Sequence, residues 1–167
     1  MSEAALQGNA KNTAGVIARP PMLFLAALAS GFELDHLLRL PFPIGPTGTA
    51  HAVSAVIAAA MIVGGLAFAA AGIRNFKEAG TPVPTNQPSR TLVTSGVHAR
   101  SRNPIYLGMF LTYLGLGLVV RSAWVLILAL PLWTLIRYGV IAREEAYLKA
   151  RFGDAYLAYK ARVRRWL

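Results

Sequence analysis

The chain has no cysteine, and that one absence removes disulfides, thiolate metal ligation and a thiol nucleophile together. Acidic residues are nearly as scarce. Seven aspartates and glutamates face 17 lysines and arginines in 167 residues, for a formal charge of +10. Charged residues of both signs make up only 14% of the chain, whereas 55% is hydrophobic and the mean hydropathy is +0.47. That balance is too apolar for an ordinary soluble domain and indicates a membrane protein. There is no room for a second domain, no internal repeat and no low-complexity tract beyond an alanine-rich run. Residues 1–167 are therefore expected to form a single domain.

Four stretches approach the roughly 20 helical residues that cross a hydrocarbon layer: Pro21 to Leu40, Ala50 to Ile73, Pro104 to Val120 and Ala123 to Ala142. The second is free of charge throughout, and Gly64 and Gly65 at its centre allow a neighbouring helix to approach closely. The first crowds Glu33, Asp35, His36 and Arg39 into its far end, so it is expected to tilt, stop short or hold those groups at the interface. It is preceded by few basic residues and followed by no cleavage pattern, and is expected to be retained. The expected fold is all-α and integral to the membrane, with about four spanning helices. Helices three and four form a hairpin, because only Arg121 and Ser122 separate them.

The basic residues are unevenly distributed. Two precede the first span, five lie from Arg74 to Arg102 and seven follow from Arg143, against Arg39 and Arg121 on the other side. Positive residues stay inside, which places both termini and the middle loop in the cytoplasm of a multi-pass protein. This distribution also explains the charge by membrane lipids rather than nucleic acid, and no nucleic-acid partner is expected. The middle loop opens with AGTPVPTNQPS, whose prolines dictate extended or turning chain. Pro104 then suits a helix start, where its missing amide donor costs nothing.

Glu144 and Glu145 follow the fourth span directly, and adjacent carboxylates beside apolar helices require positive charge. Arg143 and Lys149 are nearby candidates, and a cationic ligand is another. Arg137 lies inside the apolar stretch, seven residues before Glu144 and so two helical turns along the same face. An intramembrane arginine reads as functional, either holding an anionic substrate group or pairing with Glu144, although one near a helix end can also snorkel. The tail after the glutamates interleaves Tyr147, Phe152, Tyr156, Tyr159 and Trp166 with basic residues. It is expected to be an interfacial amphipathic segment, broken near Gly153, with its aromatics toward lipid.

Taken together, TSGVHARSRNPIYLG from Thr94, a helical hairpin and EEAYLKARFGDAYLAYKARVRRW from Glu144 resemble the isoprenylcysteine carboxyl methyltransferase and phospholipid methyltransferase superfamily. The resemblance covers roughly Gly80 to Leu167. It implies an integral-membrane enzyme with a cytosolic-face pocket for S-adenosylmethionine, built from about residue 90 to the C-terminus. Where that family reads Arg-His-Pro and an aromatic, this chain has Arg102, Asn103, Pro104 and Tyr106. The family's Gly-x-Gly and paired glutamates match Gly115, Gly117, Glu144 and Glu145, although glycines in a membrane helix commonly serve packing. The resemblance thus implies Arg102, Asn103, Tyr106, Gly115, Gly117, Glu144 and Glu145 as cofactor-binding residues. No metal site is expected.

An amide at Asn103 cannot take a proton, and a carboxylate acceptor needs none removed. That favours O-methylation of a lipophilic acid, with Arg137 or Arg143 holding its carboxylate at the catalytic centre. N-methylation of a phospholipid headgroup remains the alternative, with His98 the nearest base, although a loop histidine is commonly exposed to solvent. Three other readings stay open: a proton-coupled cation exporter using Glu33, an NADPH-dependent membrane reductase and a non-catalytic scaffold.

Overall fold

The computed structural model describes residues 14–83 and 87–167. Lys11, counted above on the cytoplasmic side, and Pro84 of the middle loop lie outside the described residues. Helix α1 spans Pro20–Leu37 and begins on two prolines, whose missing donors suit a first helical turn. Helix α2, Gly48–Glu78, is 31 residues long. After the middle loop and a short 3-10 turn at Gly96–Ala99, α3 runs from Pro104 to Val119. The turn at Arg121 takes a left-handed φ of 56°, and the Ser122 side chain then caps α4, Ala123–Thr134, by accepting from the Val125 amide. A π-helical segment, Leu135–Ile141, leads without a break into α5, Ala142–Arg162, which bends at Gly153 where φ is 51°. No strand occurs among the described residues.

Two helical stretches are long and apolar enough to cross a bilayer: Gly48–Glu78 and the continuous run from Ala123. The other two expected spans are less complete. Helix α3 is apolar but has only 16 residues, about 24 Å of rise against a hydrocarbon layer of about 30 Å. Helix α1 has 18 residues and carries Glu33 and Asp35.

Close approach of α2 and α3 organises the bundle. A side-chain carbon placed on Gly65 would come within 2.6 Å of the Gly108 carbonyl oxygen, and one on Gly72 within 2.7 Å of Ile105. Small residues thus let two backbones meet where lipid supplies no hydrophobic drive. On the other side, Phe24 of α1 stands edge-on to Phe110 of α3 at 4.8 Å, and Tyr113 donates to the Val125 carbonyl at 2.9 Å. At the hairpin end, Arg121 lies over the Phe42 ring and donates to the Gly45 and Ile44 carbonyls, tying the α1–α2 loop to the α3–α4 turn.

The segment before α1 folds back along the π-helical turn. The Ile17 amide donates to the Gly139 carbonyl at 3.4 Å, and Arg143 donates to the Gly15 carbonyl at 2.7 Å. A π turn advances more residues per turn than an α turn, so seven residues no longer return to the same face. That displaces Arg137 from Glu144. Arg137 lies instead over the Trp133 and Tyr138 rings, at 5.1 and 5.4 Å, and no ion pair joins it to Glu144.

Candidate functional site

The loop before α3 is fixed from two sides. Asn75 of α2 donates to the Ser95 carbonyl at 2.8 Å and lies 3.4 Å from Nδ1 of His98, whose ring stands edge-on to Phe76. Tyr159 of α5 donates to the His98 carbonyl at 2.7 Å. His98 is therefore buried, not exposed, and burial depresses its pKa from 6.5 to about 4. Its imidazole is neutral at physiological pH.

Ser101, Arg102 and Asn103 bind the C-terminal tail through its backbone. The Arg102 amide donates to the Arg164 carbonyl at 3.0 Å, and the Asn103 side-chain amide donates to the Arg165 carbonyl at the same distance. Ser101 donates to that carbonyl as well, at 3.4 Å. Ionic contacts close the same junction. Glu145 receives two bonds from Arg165, of 2.9 and 2.8 Å, and lies 3.1 Å from Arg102 and 3.8 Å from Lys160. Burial alone would raise its pKa, but the Arg165 hydrogen bond and the charges of Arg102, Arg165 and Lys160 outweigh that and hold it below 4.5.

Glu144 is different. It stands past the end of the apolar run, and it accepts a hydrogen bond from the Tyr106 hydroxyl at 2.6 Å. Among the described residues no lysine or arginine forms an ion pair with it. Burial raises its pKa from 4.5 to about 7, partly opposed by the Tyr106 bond and reinforced by the neighbouring Glu145 charge. A second atom is also unsatisfied: Nε of Arg102 is buried and has no acceptor.

Both groups line one cavity of about 720 Å³, within the usual size of a small-molecule site. Its polar end holds His98, Arg102, Asn103, Tyr106, Glu144 and Glu145. Its apolar walls come from Ala69, Ile73 and Phe76 of α2 with Ile105 and Met109 of α3, and the segment through Arg19 borders it near the start of α1.

Of the nine site residues expected from the sequence, five converge on the cavity: Arg102, Asn103, Tyr106, Glu144 and Glu145. The other four lie outside the cavity lining. Gly115 packs against Ala58 and Ile62 of α2, and Gly117 against Val125 and Leu126 of α4, so each serves helix contact. Arg137 is held by aromatic rings, and Arg143 is exposed and spent on Gly15. Several lining residues escaped the sequence reading. Tyr156 and Tyr159 face inward and are only 2% and 4% exposed, the reverse of the lipid-facing aromatics expected there. Helical spacing in the tail does not carry that signal, because the bend at Gly153 reorients the second half of α5. Arg19, far away in sequence, had none.

A family model described as phospholipid methyltransferase matches residues 53–155, more than half of the chain and most of the cavity lining. The chain belongs to that family. Its similarity extends to the Protein-S-isoprenylcysteine O-methyltransferase of Schizosaccharomyces pombe, 38% identical over 73 residues that make up 43% of this chain and 30% of the yeast protein. The mouse protein of the same name is 38% identical over 76 residues, 45% of this chain and 26% of its own length. An uncharacterized Haemophilus influenzae protein is 42% identical over 65 residues, 38% of this chain and all of that protein. The chain therefore spans less than a third of the length of either named enzyme it matches. No solved structure matches it.

Proposed function

We propose that this protein is a multi-pass membrane methyltransferase that uses S-adenosylmethionine to methylate the carboxylate of a lipophilic acceptor at the cytosolic face. The observation that supports it best is a cavity joining apolar helix walls to two unsatisfied polar groups of opposite character. Glu144 lacks a cation and Nε of Arg102 lacks an acceptor. The amino-acid end of S-adenosylmethionine offers both complements, an ammonium and a carboxylate, so the residues present fit the cofactor. When bound, it supplies a sulfonium methyl, which a carboxylate oxygen takes while the carbon–sulfur electron pair returns to sulfur, and no proton moves.

The protein's part is positioning. Glu144 and Arg102 orient the polar end, Tyr106 holds the Glu144 carboxyl, and the α2 and α3 walls receive an apolar tail and exclude water. Alignment of this kind is worth roughly 7 to 11 kcal/mol of a barrier. Asn103 supports the reading indirectly: its side-chain amide already donates to Arg165, so it helps to seat the tail.

One observation favours N-methylation of a phospholipid amine as a second reading. With a pKa of about 7, Glu144 is suited to accept a proton from an ammonium. The product separates the two, since a methyl ester releases methanol in mild base and an N-methyl group does not.

Calorimetric titration of detergent-purified protein with S-adenosylhomocysteine tests the cofactor assignment. We expect saturable binding that weakens at least about tenfold in E144Q, the loss of one charge-assisted contact. Absence of binding in the wild type, or binding of NADPH in its place, overturns the reading.

A further inference from the structure

Charge pairing within the cavity leaves one cation without a counterpart. Two arginines line it, Arg19 and Arg102, and two carboxylates, Glu144 and Glu145. Arg102 and Glu145 neutralise each other at 3.1 Å. Glu144 is matched by the cationic end of the cofactor in the reading above. That leaves Arg19, with which no carboxylate pairs among the described residues.

We propose that Arg19 is the residue that binds the anionic group of the acceptor. This rests on the methyltransferase reading and names the chemistry that the cavity selects: a lipophilic molecule ending in a carboxylate. Arg137 and Arg143 were the sequence candidates for this role, and neither reaches the cavity. Arg19 reaches it because of how the preceding segment is held. Ile17 is bonded to Gly139 in the π-helical turn, and Arg143 grips the Gly15 carbonyl. Arg143 is thus a positioning residue for Arg19, two residues beyond the strap it fastens. Pro20 and Pro21 then start α1 without backbone donors of their own, which leaves the solvent-exposed Arg19 side chain as the available anion-binding group at this border of the cavity.

The arrangement has a consequence for turnover. Methylation converts a carboxylate into a neutral ester, and the ester has no charge for Arg19 to hold. Substrate and product differ at the one atom group that this residue senses, which favours exchange of product for fresh acid. The same cation disfavours an ammonium acceptor and so weighs against the phospholipid amine.

The anion met by Arg19 has two possible sources, the acceptor's carboxylate or the cofactor's own. Both are tested in the full-length protein in detergent. Binding of an S-farnesylated cysteine with a free carboxylate is compared with binding of its methyl ester, without cofactor, in wild type, R19Q, R19K and R143Q; S-adenosylhomocysteine affinity is measured in parallel. We expect the wild type to prefer the acid over the ester by about tenfold, R19Q to lose that preference, R19K to recover part of it, and R143Q to reduce it. Cofactor-product affinity should stay within about twofold in R19Q. Equal binding of acid and ester by the wild type overturns the proposal, as does an unchanged preference in R19Q. So does a tenfold loss of S-adenosylhomocysteine binding in R19Q with the acid preference intact, which would assign the residue to the cofactor's carboxylate. Failure of the wild type to bind S-adenosylhomocysteine at all overturns the methyltransferase reading instead, and the acid–ester comparison still judges Arg19 on its own.

Discussion

Two titratable groups with opposite linkage to pH, the buried His98 and the partly buried Glu144, face the same cavity. Glu144 has its carboxyl raised to about 7, so the stability present below about 4.5 is lost as pH rises through 7, because the unfolded chain ionises first. His98 is depressed to about 4, so the stability it contributes above 6.5 is lost as pH falls toward 4, where the unfolded chain takes the proton first. The two slopes oppose one another across nearly the same window. Wild-type stability should therefore change little between pH 4.5 and 6.5, and each variant should uncover the other slope. In E144Q, thermal denaturation in detergent should show the midpoint rising with pH over that interval; in H98N it should fall. A flat profile in both variants contradicts these environments. Ligand binding carries a related signature. A cationic group beside Glu144 needs the carboxylate, so S-adenosylhomocysteine affinity should climb as pH approaches 7 and level off above it, and E144Q should remove the climb.

The tail joins the bundle through one ionic knot, and its strength is a property of the element. Glu145 and Arg102 have side chains only 13% and 9% exposed, with Arg165 at 26%. Removing a partner from so buried a pair leaves an uncompensated charge and costs about 3 kcal/mol. E145Q should free the stretch Val163 to Leu167, seen as faster hydrogen exchange there with the α2–α3 interface still protected. R102Q combined with E145Q should recover part of the loss, because both charges are then gone. Equal exchange in wild type and E145Q would show that the backbone bonds to Arg164 and Arg165 suffice alone. The helices themselves were legible, since apolar runs, the paired prolines at Pro20 and the short link at Arg121 mark their limits. The convergence of Arg102 and Tyr106 with the two glutamates followed from motif resemblance. The π-helical turn was not legible, because nothing in the residue pattern of Leu135–Ile141 reveals an extra residue per turn. The inward turn of Tyr156 and the placing of Arg19 depend on one left-handed glycine and on backbone bonds between distant segments, which no periodicity records.

At the scale of the whole molecule, the cavity is useful only if its polar end meets the compartment that supplies the cofactor. Its lining includes Arg102, Glu145, Tyr147 and Arg19, drawn from the three segments that carry most of the basic residues: the stretch before α1, the middle loop and the C-terminal tail. The opposite end holds Arg39 and Arg121, with Arg121 occupied by the Ile44 and Gly45 carbonyls. An anionic inner leaflet attracts the first surface far more than the second, at about 1 kcal/mol per basic residue near the lipid. The orientation we propose on this ground has the cavity facing the cytoplasm and the α1–α2 loop and the Arg121 turn facing away. The absence of cysteine makes this directly measurable, because each introduced cysteine is the sole thiol in the chain. Thr47, Ala99 and Ala155 are exposed and lie in the α1–α2 loop, beside the cavity and on α5. In intact cells, T47C should react with a membrane-impermeant maleimide. A99C and A155C should react only after the membrane is permeabilised. Labelling of A99C and A155C from outside with T47C silent would invert the orientation, and labelling of all three from one side would require the α2 span to be withdrawn.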